Sequence, residues 1–323
     1  MIDQAAPPAI PDRVETTLRE ELARGDVMAG TAVPILRQLI AAGDLSIFSE
    51  EVVARLRGML ADIARQLLDA LVGGQGSRAH SAGEVEVVGH ALLDNPALVA
   101  HLHALTLEWQ LTERLQARLG LDAAASPLVQ GLIASPDERL RADAAAFLAA
   151  QVRWCQSQRR MSLPLRELPA DLLNVALYTL RTLAGVEPVL AERATVVESE
   201  IRRSYDEANT RAGMAARLMA GLAERGGLDV PAVAHSGVPL FVEALARASG
   251  QARDTVLMST HRSQIARLAL TLRASGLAAE AAQAQVLSLH PETVLPDVFA
   301  AIDETRAAAI LASSRAVLRP HRP

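Results

Sequence analysis

The chain has 323 residues, of which half are apolar and 2% are aromatic, and its net charge is -5. All 32 basic residues are arginine, so the chain lacks the lysine that a Walker-type phosphate loop or a Schiff base needs. The acidic balance disfavours a dedicated nucleic-acid-binding protein, and the single cysteine, Cys155, excludes an internal disulfide and a multi-cysteine zinc site.

Helical patterns begin close to the N-terminus. Residues 1–12 are rich in proline and alanine and are predicted to form a disordered tail. We expect two short helices next, over residues 11–24 and 34–43, because a glycine stops each pattern. A clear amphipathic helix follows Ser49, and the glycine- and serine-rich segment 73–84 is predicted to be the loop after it.

The middle of the chain contains helices that begin at prolines. Ser126-Pro127 and Ser135-Pro136 each combine an N-cap serine with a proline at the first helical position. The second of these helices is expected to end before Pro164, since the residue ahead of a proline avoids helical angles.

No stretch of the sequence shows the alternation of apolar and polar residues that a half-buried strand requires, so the predicted fold class is all-α. Similar segments occur at Pro34, Pro127 and Pro239, each with apolar residues at helical spacing before a small or glycine/proline stop. This recurrence favours a repeat-like array of stacked helix pairs.

The length of the chain exceeds the usual size of a single core. We therefore predict two helical subdomains, over residues 13–165 and 166–318, with a short tail over 319–323. The N-terminus lacks the pattern of a signal peptide, and no uncharged stretch approaches the about 20 residues of a membrane helix. A cytoplasmic protein without a membrane span is expected.

Two stretches of the C-terminal quarter, LARASGQARDTV at residues 245–256 and RLALTLRASGL at residues 267–277, carry a resemblance to a known family. They resemble an uncharacterised bacterial all-helical family with HEAT-like repeats. The resemblance implies a repeat architecture and a binding role, without an assigned chemistry.

Metal and cofactor sites are not expected. His101 and His103 form an HxH pair, but residues two apart on a helix point about 200° apart and cannot share one ion. The Glu-x-x-His pattern of helical di-iron proteins is also missing from the sequence.

An arginine cluster around Trp154 is the most distinctive patch in the sequence. Its members are Arg153, Arg159, Arg160 and Arg166, and the sequence contains no acidic residue between Ala144 and Arg166. Guanidinium groups beside an aromatic ring favour an anionic partner, such as an acidic segment of another protein. The alternative is structural, since cations near a helix C-terminus also satisfy the last carbonyls and the helix dipole.

His261 is a second candidate, in the sequence STHRSQIARLALTL near the start of a predicted helix. An exposed histidine there has the chemistry of a phosphoacceptor, and Arg262 would contribute positive charge beside a phosphoryl group. A solvent-facing histidine without a role is the competing interpretation.

A long polar helix is predicted over residues 187–225, with Glu198–Arg202 and Glu207–Arg211 as i,i+4 pairs. A solvated or bridging helix explains these pairs. If Glu198, Glu200 and Tyr205 instead lined a pocket, they would form an acid/base site.

The first functional hypothesis is a non-catalytic helical scaffold or adaptor that binds a protein partner through a helical groove and the Arg/Trp patch. The alternative is a histidine phosphotransfer-type signalling protein that uses His261. An all-helical enzyme with a pocket at the polar helix is the third hypothesis.

Overall fold

Helices make up the folded part of the chain in the computed structural model, which describes residues 10–42, 50–73, 80–226 and 230–314. Within these residues there are 14 α-helices, four short 3₁₀ turns and no strand. The all-α prediction is confirmed, and the repeat type stays a prediction. No helix in the described ranges is both long and apolar enough to cross a membrane.

Seven α-helices lie before residue 185. They are α1 Ile10–Ala42, α2 Glu50–Val72, α3 Ala82–Leu93, α4 Pro96–Leu119, α5 Pro127–Ile133, α6 Glu138–Arg159 and α7 Ala170–Ala184.

The second half of the chain contributes seven more α-helices. They are α8 Pro188–Ser204, α9 Arg211–Glu224, α10 Val233–Ser249, α11 Arg253–Ser259, α12 Ile265–Ala274, α13 Ala279–Leu289 and α14 Glu304–Ser313. The 3₁₀ turns are Leu165–Glu167, Glu207–Asn209, Arg262–Gln264 and Asp297–Ala301.

Side-chain caps set several helix starts. Ser126 caps α5 ahead of Pro127, as the sequence predicted, and its hydroxyl accepts from the N–H of Val129. Asp137, rather than the predicted Ser135, caps α6, because its carboxylate accepts two N–H groups of the first turn. The carboxylate also suits the positive end of the helix dipole.

Helix α4 lies at the centre of the molecule. Every residue from Leu98 to Trp109 except Ala100 is buried, and α4 packs against α1, α2, α3, α7, α10 and α11. Its N-terminal half joins a core formed with α1 to α3, α7 and α8, and its C-terminal half joins a second core formed with α10 to α13. A helix covered on all sides must find buried partners for its polar residues.

Helix α1 differs from the sequence prediction. Instead of two short helices, it runs without interruption from Ile10 to Ala42, through Gly25 and Pro34. At Gly25 the helix touches Gln264, and an added Cβ would lie 2.8 Å from the Gln264 side-chain oxygen. This glycine permits close packing rather than stopping the helix.

The predicted polar helix over 187–225 is also wrong as a single element, because the chain leaves helix α8 at Ser204 and re-enters α9 at Arg211. Thr210 caps the new helix by accepting from the N–H of Gly213. Gly213 lies so close to the preceding turn that a Cβ would be 2.2 Å from the carbonyl oxygen of Glu207. The break therefore has its own cap and its own packing requirement.

The predicted subdomain boundary between residues 165 and 166 stays a prediction. The core around the N-terminal half of α4 contains buried residues from both predicted units, including Leu67 and Leu173. The predicted tail at 319–323 and most of the predicted tail at 1–12 lie outside the described residues.

Candidate binding cleft

A cleft of about 1030 Å³ lies between helices in the described part of the protein. Its lining comes from α1, the N-terminal half of α4, Trp154 of α6, the connection from α6 to α7, the start of α7, the turn before α9, α9, Glu243 of α10 and the start of α11. Sixteen of the 28 lining residues are Gly, Ala, Val, Leu, Pro or Trp. The cleft thus combines an apolar lining of mostly small side chains with a minority of polar groups.

The small side chains of this lining repeat at helical spacing. Gly30 and Pro34 of α1 and Ala212 and Ala216 of α9 lie four residues apart on their helices and both pairs line the cleft. Pro34 has no N–H, so the carbonyl of Gly30 lacks its usual intrahelical donor. The α1 wall is therefore built of small groups where the helix lacks one hydrogen bond.

A buried charge cluster, formed by Glu108, Arg211, Arg253, Glu243 and Gln151, lies against the cleft. The Arg211 guanidinium makes two hydrogen bonds to the Glu108 carboxylate, from Nη1 at 2.7 Å and from Nη2 at 2.8 Å. Nη2 of Arg253 donates to the same carboxylate at 2.9 Å. The cluster joins helices α4, α9 and α11 through one carboxylate.

Two further side chains complete the cluster. The Gln151 side-chain oxygen accepts from Nη1 of Arg211 at 3.1 Å, and Glu243 lies 3.7 Å from Nε of Arg253. Arg211 also covers the ring of Trp154, with 4.1 Å between the guanidinium carbon and the ring centroid. Glu108 has no exposed surface, so its charge depends on these neighbours.

Electrostatics keep Glu108 ionised. Burial by itself would raise the pKa of Glu108, but the charges and hydrogen bonds of Arg211 and Arg253 outweigh it and hold the pKa at about 2. In contrast, burial and the nearby Glu108 charge raise the pKa of Glu243. Glu108 is thus a permanent counter-ion rather than a proton donor near neutral pH.

His101 of α4 and Asp254 of α11 form a second polar pair in the cleft lining. Nδ1 of His101 lies 2.7 Å from the Asp254 carboxylate, which favours the tautomer with the proton on Nδ1. The opposite nitrogen, Nε2, is buried and has no hydrogen-bond partner. In this tautomer Nε2 is an acceptor.

Three carboxylates, from Glu167, Asp171 and Glu207, form the acidic edge of the cleft. Backbone N–H groups position two of them: Glu167 accepts from the N–H of Arg211 at 2.8 Å, and Glu207 accepts from the N–H of Ala170 at 3.4 Å. None of the three carboxylates forms a salt bridge with a cation in the described ranges.

The carboxylates of the acidic edge affect the pKa of the nearby Tyr205. Burial, followed by the charges of Glu207, Asp171 and Glu167, raises the pKa of Tyr205 to about 12. Its hydroxyl donates to the carbonyl of Leu168 at 2.8 Å. Tyr205 therefore ties the turn after α8 to the start of α7.

The predicted Arg/Trp patch is divided between the surface and the interior. Its four arginines are exposed: Arg153, Arg159, Arg160 and Arg166. Trp154 is only 4% exposed and packs edge-to-face against Trp109, with 5.7 Å between ring centroids. The tryptophan lines the cleft instead of standing beside the arginines, and the binding role of these residues stays a prediction.

His261 lies at the start of the 3₁₀ turn Arg262–Gln264 rather than on a helix face. Its Nδ1 lies 2.7 Å from the Ser263 hydroxyl. Burial lowers the pKa of His261, and the positive charges of Arg114 and Arg262 lower it further. The imidazole is accordingly neutral near pH 7, and phosphoacceptor activity stays a prediction.

Glu198, Glu200 and Tyr205, the predicted acid/base residues of the polar helix, lie outside the cleft lining, whereas Glu207 and Arg211 belong to it. Glu198 pairs with Arg202 at 2.8 Å, as predicted, and also lies 3.6 Å from Arg181. Glu200 is exposed. The predicted pair of Glu207 with Arg211 is wrong, because the helix break separates them and Arg211 turns to Glu108.

Sequence reasoning did not predict the buried charge cluster. Its only sequence signal is Glu108, the one carboxylate in the buried run of α4 from Leu98 to Trp109. A buried carboxylate requires a cation, but nothing local indicates that Arg211 and Arg253 supply it.

No group of three or more His, Cys, Asp or Glu side chains in the described ranges is arranged to hold a metal ion. No known protein family, curated protein or solved structure matches the chain. The resemblance to a HEAT-like family accordingly stays a prediction.

Proposed function

We propose that the protein is a helical scaffold or adaptor that binds a segment of a protein partner in the cleft. The observation that carries the proposal is the cleft itself, a volume of about 1030 Å³ lined by residues from seven α-helices. Its mostly apolar lining with a few fixed polar groups is typical of binding sites. A groove between helices is also a common site for a partner's peptide segment.

The polar groups beside the cleft favour binding over acid–base chemistry. Glu108 is ionised and shared by two arginines, so it has no proton to exchange near pH 7. Burial raises the pKa of Cys155 to about 11, which makes this thiol a poor nucleophile. These groups orient and neutralise one another, as in a rigid binding site.

The four exposed arginines of the predicted patch support a second contact with the same partner, beside the cleft. Exposed guanidiniums suit an acidic region of a protein surface. Replacing Arg159 and Arg160 by glutamate tests this contact, since partner binding should weaken and become less sensitive to salt.

A peptide-library selection on the immobilised protein tests the proposed function without assuming the sequence of the ligand. The selected peptides should bind the native protein and lose binding to an Ala216→Trp variant, whose indole occupies the cleft. Ala149→Trp is the matched control, because Ala149 is exposed on α6 and does not line the cleft. Equal binding to all three proteins, or no selected peptide at all, would contradict the proposal.

A further inference from the structure

We infer that the segment bound by the cleft is basic, with arginine or lysine side chains beside apolar ones. The inference deepens the proposed function and rests on it. Charge, unpartnered polar atoms and the shape of the lining each contribute to it.

The first step concerns the acidic edge. Glu167 and Glu207 are positioned by backbone N–H groups, and each carboxylate keeps further lone pairs for other donors. Asp171 is exposed, and in the described ranges its carboxylate accepts from the N–H of Leu172. A ligand cation would therefore find three carboxylates in the lining that form no salt bridge with a described cation.

The second step concerns the arginines of the cleft, which already contact other carboxylates. Arg211 and Arg253 share Glu108, and Arg37 lies 3.0 Å from Asp94. The positive charge of the lining is thus neutralised internally, whereas the acidic edge is not. An anionic ligand would meet the uncompensated carboxylates, so charge complementarity favours a cation.

The third step is independent of charge. His101 is 6% exposed and Trp154 is 4% exposed, and in the described ranges His101 Nε2 and Trp154 Nε1 have no hydrogen-bond partner. Both residues line the cleft. Nε2 of His101 accepts in the tautomer set by Asp254, and Nε1 of Trp154 donates.

A peptide backbone supplies both kinds of partner, because each residue carries an N–H donor and a carbonyl acceptor. A small organic cation offers donors but few acceptors. The small side chains of α1 and α9 leave room for apolar side chains of the peptide. A basic peptide therefore fits the charge, the polar atoms and the lining together.

Three short fluorescent peptides test the inference. They share a leucine/alanine sequence and carry four arginines, four glutamines or four glutamates, and their affinities for the native protein are measured by fluorescence anisotropy. We expect the arginine peptide to bind about 10-fold or more tightly than the glutamine peptide, and the glutamate peptide to bind weakest. Raised salt should reduce this preference.

Two triple variants locate the effect. Glu167→Gln/Asp171→Asn/Glu207→Gln keeps the shapes and acceptor oxygens but removes three charges, and it should abolish the preference for arginine. Glu192→Gln/Glu200→Gln/Glu280→Gln changes the net charge by the same amount at exposed positions outside the cleft lining, and it should retain the preference for the arginine peptide.

The single variant Asp171→Asn, at an exposed position, should weaken arginine-peptide binding without affecting the fold.

The outcomes separate this inference from the proposed function. If peptides bind in the cleft but the glutamine or glutamate peptide binds as tightly as the arginine peptide, the basic ligand is wrong and the binding site stands. An equal loss in both triple variants also overturns the inference. If spermidine binds the cleft but no peptide does, both the peptide ligand and the proposed function fail.

Discussion

Glu108 illustrates how a single residue can connect several helices. Its carboxylate has no exposed surface and is shared by Arg211 of α9 and Arg253 of α11. Taking these ions out of water costs several kcal/mol per ion, and their mutual attraction offsets the cost only while all partners are present. The cluster should thus be sensitive to the loss of one charge.

We predict that Glu108→Gln lowers the free energy of unfolding by about 3 to 5 kcal/mol, because it leaves the buried Arg211 guanidinium without a counter-ion and Arg253 with Glu243 alone. Urea unfolding followed by circular dichroism measures the change. Glu192→Gln, at an exposed position on α8, should leave the stability unchanged. If Glu108→Gln changes the free energy of unfolding as little as Glu192→Gln does, the charge cluster does not stabilise the fold.

His103 should give the protein a pH-dependent stability. Burial, assisted by the charge of His261, lowers the pKa of His103 from 6.5 to about 4. Below pH 6.5 His103 is protonated in the unfolded chain. In the folded protein it becomes protonated only when the pH falls to about 4. The stabilisation present above pH 6.5 is therefore lost as the pH falls, by about 3 kcal/mol in total.

His103→Gln removes this titration. Between pH 7 and pH 4, the difference in unfolding free energy between the native protein and the variant should change by about 3 kcal/mol, in favour of the variant at low pH. His90→Gln, at an exposed position on α3, should show a constant difference. A constant difference for His103→Gln would contradict the prediction.

At the scale of elements, the sequence predicted a helix start well where the cap is a local contact. Ser126-Pro127 starts α5 as expected. Gly25 did not end a helix and Pro34 did not start one, because α1 runs through both and Gly25 packs against Gln264, a residue distant in sequence. The break before α9 does have a local signal, Thr210 as an N-cap, but the surrounding polar pattern also fits a continuous helix.

The turn between α8 and α9 provides a matched pair of glycine substitutions on one helix. Gly213→Ala should lower the free energy of unfolding by about 1 to 3 kcal/mol, because its Cβ would overlap the preceding backbone. Gly221→Ala should be neutral or raise it by about 0.5 to 1 kcal/mol. A Cβ at Gly221 has its nearest neighbours at 3.6 Å, an ordinary contact.

Chemical unfolding of both variants checks this prediction. If the two substitutions have the same effect, close packing at Gly213 does not maintain the break. Because Arg211 and Gly213 are neighbours at the start of α9, a disturbed turn should also weaken peptide binding in the cleft.

At the scale of the whole molecule, composition and periodicity were enough to predict an all-α protein. The cleft was not predictable, because its lining combines residues from α1 to α11 that share no local pattern. Trp154 shows the difficulty: its sequence neighbours are exposed arginines, yet its ring lies in the interior.

The central claim is that the cleft binds a basic segment of a protein partner. Hydrogen–deuterium exchange of the native protein, with and without the arginine peptide, tests it most directly. The account predicts slower exchange at residues 29–37 of α1, 95–105 of α4 and 211–216 of α9, which contribute to the cleft lining. Slower exchange confined to the helix end at Arg159 and Arg160, or unchanged exchange throughout with the peptide bound, would contradict it.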